Sequence, residues 1–100
     1  MIRLLTGKQK RYLRGEAHHL KAIFQVGKEG VNPNMINQLN DVLEKRELIK
    51  VHVLQNCLDD KHDVAEQIVE GTSAHIVQII GNQIVLYKES EENKSIVLPK

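Results

Sequence analysis

The sequence predicts a compact α/β domain in which elements follow in the order α-β-α-β-α-β-β and about four strands form one mixed sheet. Three observations lead there. Apolar residues recur at helical spacing in three separate stretches, strand-type runs stand between and after them, and the last two runs are joined by Gly81-Asn82, a two-residue hairpin signal. Strands separated by helices of this length run parallel, whereas the closing hairpin must be antiparallel, so the sheet is mixed.

The first helix starts after Thr6, a good N-cap, and runs to about His19, with Leu5, Gln9, Tyr12, Leu13, Ala17 and Leu20 on one face. Gly15 sits in its middle at a cost of up to about 1 kcal/mol relative to Ala, so packing or the close approach of another backbone is expected to support it. Ala22 to Val26 is short, apolar and rich in strand formers, and Gly27 stops it. Asn32 can cap a second helix that has Pro33 at its first position, runs to about Arg46 and places Met35, Ile36, Leu39, Val42 and Leu43 at helical spacing. Leu48 to Leu54 alternates Ile49, Val51 and Val53 with Lys50 and His52, a strand with one face better buried than the other. Asp59 or Asp60 can cap a third helix carrying Val64, Ala65, Ile68 and Val69, with Gly71 as its C-terminal glycine. His75–Ile80 and Gln83–Lys88 then form the hairpin. Residues 1–100 are one domain on this reading. From about residue 89 the chain becomes a polar, loose tail, in which Ile96 to Leu98 can add a short edge strand.

Composition excludes several classes. Hydrophobic residues make up 41% and charged residues 27% of the 100, which argues against a disordered or fibrous chain. One cysteine, Cys57, cannot form an internal disulfide, and no apolar run approaches the length of a membrane span or a secretory leader, so the expected setting is cytoplasmic and no membrane partner is expected. The net charge of +1 conceals a polarity. Residues 1–30 hold seven Lys or Arg against two acids, while residues 31–100 hold seven against eleven. A basic end on a small domain steers toward a polyanion.

The chemistry-bearing residues narrow the choice. Gly27-Lys28-Glu29-Gly30 joins a strand to a helix start, where two glycines allow a tight turn and free N–H groups favour an anion. KH domains clamp a sugar-phosphate backbone with such a GXXG loop, although a plain turn also accounts for it. Lys10, Arg11 and Arg14 lie opposite the apolar face of the first helix, with Lys8 and Lys21 at the edge of the patch. The three aromatics are too few for an RRM, and Tyr12 and Phe24 are expected in the core. His18, His19, His52, Cys57, His62 and His75 show no metal-ligand spacing, so no metal and no cofactor are expected. No nucleophile or general base stands beside GKEG, and an enzyme is not expected.

The run LTGKQKRYLRGEAHHLKAIFQVGKEGVN (5–32), with ELIKVHVLQN (47–56) and IIGNQIVLYKES (79–90), strongly resembles the CRM domain, named for chloroplast RNA splicing and ribosome maturation, in its stand-alone bacterial YhbY-type form. One departure is Ala22, where the family often has Pro. The resemblance implies a fold similar to the C-terminal domain of translation initiation factor three. It also implies a non-enzymatic RNA-binding role on precursor large-subunit ribosomal RNA or pre-large-subunit particles. The implied contacts are Gly27, Lys28, Glu29 and Gly30, with Lys8, Lys10, Arg11 and Arg14 of the first helix; Asn32, the helix cap beside the loop, is a further candidate contact, and a monomer is expected. The alternative is a protein-interaction adaptor whose basic face docks on an acidic partner.

Overall fold

The computed structural model describes residues 5–99; Arg3, counted in the basic end, lies outside them. The elements are α1 (Gly7–Ala17), β1 (Phe24–Val26), α2 (Pro33–Arg46), β2 (Leu48–Val53), α3 (Lys61–Thr72), β3 (His75–Ile80) and β4 (Gln83–Tyr87). The four strands form one sheet in the order β1-β2-β4-β3. β1 and β2 are parallel, with Gln25 opposite His52, and β4 runs antiparallel to both β2 and β3. The mixed α/β architecture expected from the sequence is the one observed.

Local chemistry sets the helix starts. Thr6 forms a capping box with Gln9, its Oγ1 accepting from the Gln9 N–H at 3.1 Å while Gln9 Oε1 accepts from the Thr6 N–H at 3.0 Å. Asn32 Oδ1 accepts from Met35 N–H at 2.9 Å, and of the two candidate aspartates Asp60 is the cap of α3, accepting from His62 N–H at 2.9 Å.

Alternation along the strands gives the sheet two apolar faces. Val26, Ile49, Val51, Val53, Ile84 and Leu86 face α2 and α3, which contribute Leu39, Leu43, Val64, Ala65 and Ile68. On the other face Leu48, Val77, Val85 and Tyr87 receive Leu13 and Ala17 of α1, with Leu5, Ile96 and Leu98 at the margin. A bulge in β3 between Ile76 and Gln78 turns Val77 and Gln78 to this same face.

Several expectations are corrected. Gly71 is not a cap: it lies inside α3, and the left-handed residue ending that helix is Ser73, at φ 63°. A Cβ on Gly71 would stand 2.7 Å from Ile36 Cδ1, so the glycine is there to let α2 and α3 touch. Among the described residues nothing outside α1's own backbone lies within 4 Å of the position of a Cβ on Gly15, so of the two supports expected for it, packing of α1 on the sheet is the one observed and the close approach of another backbone is not. Tyr12 is 39% exposed rather than core, because the buried stripe of α1 is only as wide as Leu13 and Ala17. The buried tyrosine is Tyr87, stacked on His75. Ile96–Leu98 form no strand and cover the α1 face as irregular chain.

The segment after β4 is held by two carboxylates at the end of α2. Glu47, fully buried, accepts from the N–H groups of Ser90, Ser95 and Ile96 at 2.7 to 3.0 Å. Glu44 accepts from the Ser90 hydroxyl at 2.5 Å and from the N–H groups of Glu91 and Glu92.

Candidate nucleic-acid interface

β1 ends at Val26 and the chain turns at once. Gly30 N–H donates to Gly27 O at 3.0 Å, closing a tight turn with Lys28 and Glu29 exposed at its tip. Gly30 has φ +68°, so the backbone angle calls for glycine, and a Cβ there would also crowd Asp59 Oδ2 at 3.0 Å. The loop leans on the segment between β2 and α3: Leu54 N–H donates to Val26 O at 2.8 Å, and Asn56 and Leu54 side chains pack under Gly27. Sequence reasoning missed this buttress of Leu54, Asn56 and Asp59, which only β1–β2 pairing brings under the loop.

The start of α2 offers less to an anion than its position suggests. Pro33 has no N–H, Asn32 caps Met35 and Ile36 N–H already donates to Asn32 O. Asn34 is left as the free donor of the first turn. Asn32 has its Oδ1 committed and presents only its amide NH2 outward. Around the tip, Glu29 and Asp59 offset the charge of Lys28, so the loop's capacity for phosphate rests on its backbone and on one mobile cation.

Lys8, Lys10, Arg11 and Arg14 are all exposed on α1, and the ion pair found among the described residues is elsewhere, between Lys94 and Glu89. Their arrangement follows from the helical period. Leu13 and Ala17 point into the sheet, and the flank bearing Leu5 and Gln9 faces the tail, where Gln9 Nε2 donates to Pro99 O at 3.1 Å. Lys10 and Arg14, one turn apart, occupy the opposite flank, with Arg11 and Lys8 toward the solvent apex. Lys10 also stands near His75, whose imidazole is held below its usual pKa by burial and then by the Lys10 charge.

The loop and the helix do not touch one another; a stretch of sheet lies between them. α1 packs on Leu48, Val77, Val85 and Tyr87. Toward the Gly27 end, the same face carries Gln25, Lys50, His52, Gln78 and Gln83, partly or fully exposed. Among the described residues no group of three or more His, Cys, Asp or Glu is arranged to hold a metal ion, and no helix is long and apolar enough to cross a membrane.

The sequence as a whole has relatives among known proteins. The model of the CRS1 / YhbY (CRM) domain matches residues 5–88. The chain belongs to the CRM domain family. It is 68% identical over 96 residues to a Bacillus subtilis protein named "Probable RNA-binding protein YqeI", covering 96% of this chain and all of that one. A Haemophilus influenzae protein named "RNA-binding protein" is 40% identical, with 96% of each chain covered. The solution structure of a Staphylococcus aureus protein, described as a candidate RNA binder, superposes with a TM-score of 0.80 at 61% identity, over 96% of this chain and all of that one. In this CRM domain, the polar strip on the sheet is the feature that sequence reasoning did not assemble. The alternation of Lys50 and His52 in β2 was visible, but their alignment with Gln25 and Gln83 depends on strand order.

Proposed function

We propose that this CRM domain binds RNA by its phosphate backbone, with precursor large-subunit ribosomal RNA as the target during ribosome assembly, and that it does so as a non-enzymatic cytoplasmic monomer. Gly27, Lys28, Glu29, Gly30 and Asn32 form one grip, and Lys8, Lys10, Arg11 and Arg14 form the other. The observation that carries the reading is the exposure of all four α1 cations, on one flank and the solvent apex of a helix that Leu13 and Ala17 pin to the sheet. Cations carried on a packed helix, with no ion pair to an acid among the described residues, suit a polyanion, and the backbone turn after β1 adds donors that read no base. The names of the relatives support RNA as the polyanion, and the family resemblance supports the ribosomal target.

Crosslinking the protein to RNA in cells and sequencing the recovered RNA tests the target. Enrichment of precursor large-subunit RNA is the expected result, and recovery of unrelated RNAs in proportion to their abundance would reject it. In vitro, replacing Lys10, Arg11 and Arg14 together by Ala should weaken RNA binding while the circular dichroism spectrum stays that of the wild type. Unchanged affinity in the folded triple variant removes α1 from the interface.

A further inference from the structure

The half of the sheet that α1 leaves open carries a row of residues set side by side by strand pairing. Gln25 of β1 is opposite His52 of β2, His52 is opposite Gln83 of β4, and Gln83 is opposite Ile80 of β3. Neighbouring strands are about 4.8 Å apart, so the row crosses roughly 14 Å of surface. Lys50 stands on the same face of β2, two residues before His52. The other side of each strand here is core: Val26, Val51, Val53 and Ile84 are buried against α2 and α3. Gln25 is exposed, His52 and Gln83 are half-buried, and Ile80 is 56% exposed at the end of the row.

We propose that this row is where bases lie: a single-stranded RNA segment, held by its backbone at Gly27–Gly30 and at α1, sets its base edges against Gln25, His52, Gln83 and Lys50. The inference rests on the RNA-binding reading and adds selectivity to it. Phosphate contacts fix register but carry no sequence information, so any preference among RNAs must come from another surface. Glutamine offers an acceptor beside two donors, histidine a donor and an acceptor, and lysine donors only, which matches the mixed pattern on an unpaired base edge. Neither tyrosine offers a stacking platform here. Tyr87 is buried beneath α1, and Tyr12 is on the flank of the helix beside Glu16, away from the row. Ile80 gives the row an apolar end.

The test compares wild type with Gln25→Ala/His52→Ala/Gln83→Ala on short single-stranded oligo(A), oligo(C) and oligo(U) at fixed salt. Wild type should prefer one probe by about tenfold or more, the worth of one or two base-edge hydrogen bonds. The triple variant should bind all three within about twofold of one another, with an unchanged salt dependence because no phosphate contact is lost. Gln25→Ala alone, at an exposed position, should show part of the same loss and serves if the triple variant does not fold. A preference that persists in a folded variant overturns the inference, as does a wild type that binds all three probes equally; in the latter case RNA binding itself still stands. Wild type that binds none of them overturns both readings.

Discussion

Glu47 sits at φ 64°, a region costly for any residue with a Cβ, and its carboxylate is shut away from water. Burial pushes that carboxyl up, but the N–H groups of Ser95, Ser90 and Ile96 and the Ser95 hydroxyl more than offset it, and the net pKa is below the usual glutamate value. The Ser90 hydroxyl and the Glu91 and Glu92 N–H groups bring Glu44 from 4.5 to about 2. Both groups titrate below their unfolded value, so the stability they lend is present above about pH 4.5 and is withdrawn as pH falls, for Glu44 toward about 2. Acid titration followed by circular dichroism should show this loss, and Glu47→Gln should flatten it. That variant also turns an amide NH2 toward N–H donors, and we expect it to cost about 2 kcal/mol in denaturant unfolding. At the loop, Lys28→Asp with Glu29→Asp keeps both glycines and puts an anion where a phosphate should sit. Affinity should fall alike for RNAs of different sequence while Tm hardly moves, since exposed substitutions usually change stability by less than about 0.5 kcal/mol.

At the scale of the helices, the same substitution has opposite signs at two glycines. Gly15→Ala meets open space and should stabilise α1 by up to about 1 kcal/mol. Gly71→Ala drives a Cβ to within 3 Å of three Ile36 atoms and should cost about 1–2 kcal/mol after the gain in helix propensity. Ile36→Ala should be less damaging in the Gly71→Ala background than in wild type, a coupling that urea denaturation of the four variants measures directly. These glycines show where sequence was legible. Caps at Thr6, Asn32 and Asp60 and the Gly81-Asn82 hairpin are short-range chemistry, and residues no more than three apart declare them. Gly71 three residues beyond Ile68 reads as a terminus because the reason for it, the side chain of Ile36, is thirty-five residues away. The same limit explains Tyr12: helical spacing shows which way a side chain points but not how much of that side the sheet covers. Polarity likewise marked the segment after Lys88 without showing that two glutamates forty-odd residues earlier bind its N–H groups.

At the scale of the whole molecule, RNA binding through the grips proposed at Gly27–Gly30 and on α1 should depend on ions in proportion to the number of phosphates held. With about −0.7 in log-log slope per phosphate on a single strand, four or five contacts give about −3. A slope near zero in a salt series would reject a phosphate-dominated grip. The position of β4 has a further consequence, this time in time rather than space. Last of the strands in the chain, it is third in the sheet, and β3 meets β2 only through it. Leu48 finds Tyr87 across thirty-nine residues, and the seat of α1 needs Val85 and Tyr87 to be in place. A growing chain that has reached only Gly81 therefore has its strands without their central member, and such non-local pairing forms late. During synthesis the proposed RNA surface would not ripen piece by piece but form at one step, when the hairpin folds back, so a nascent chain halted before Gln83 should be protease-sensitive and unable to hold RNA.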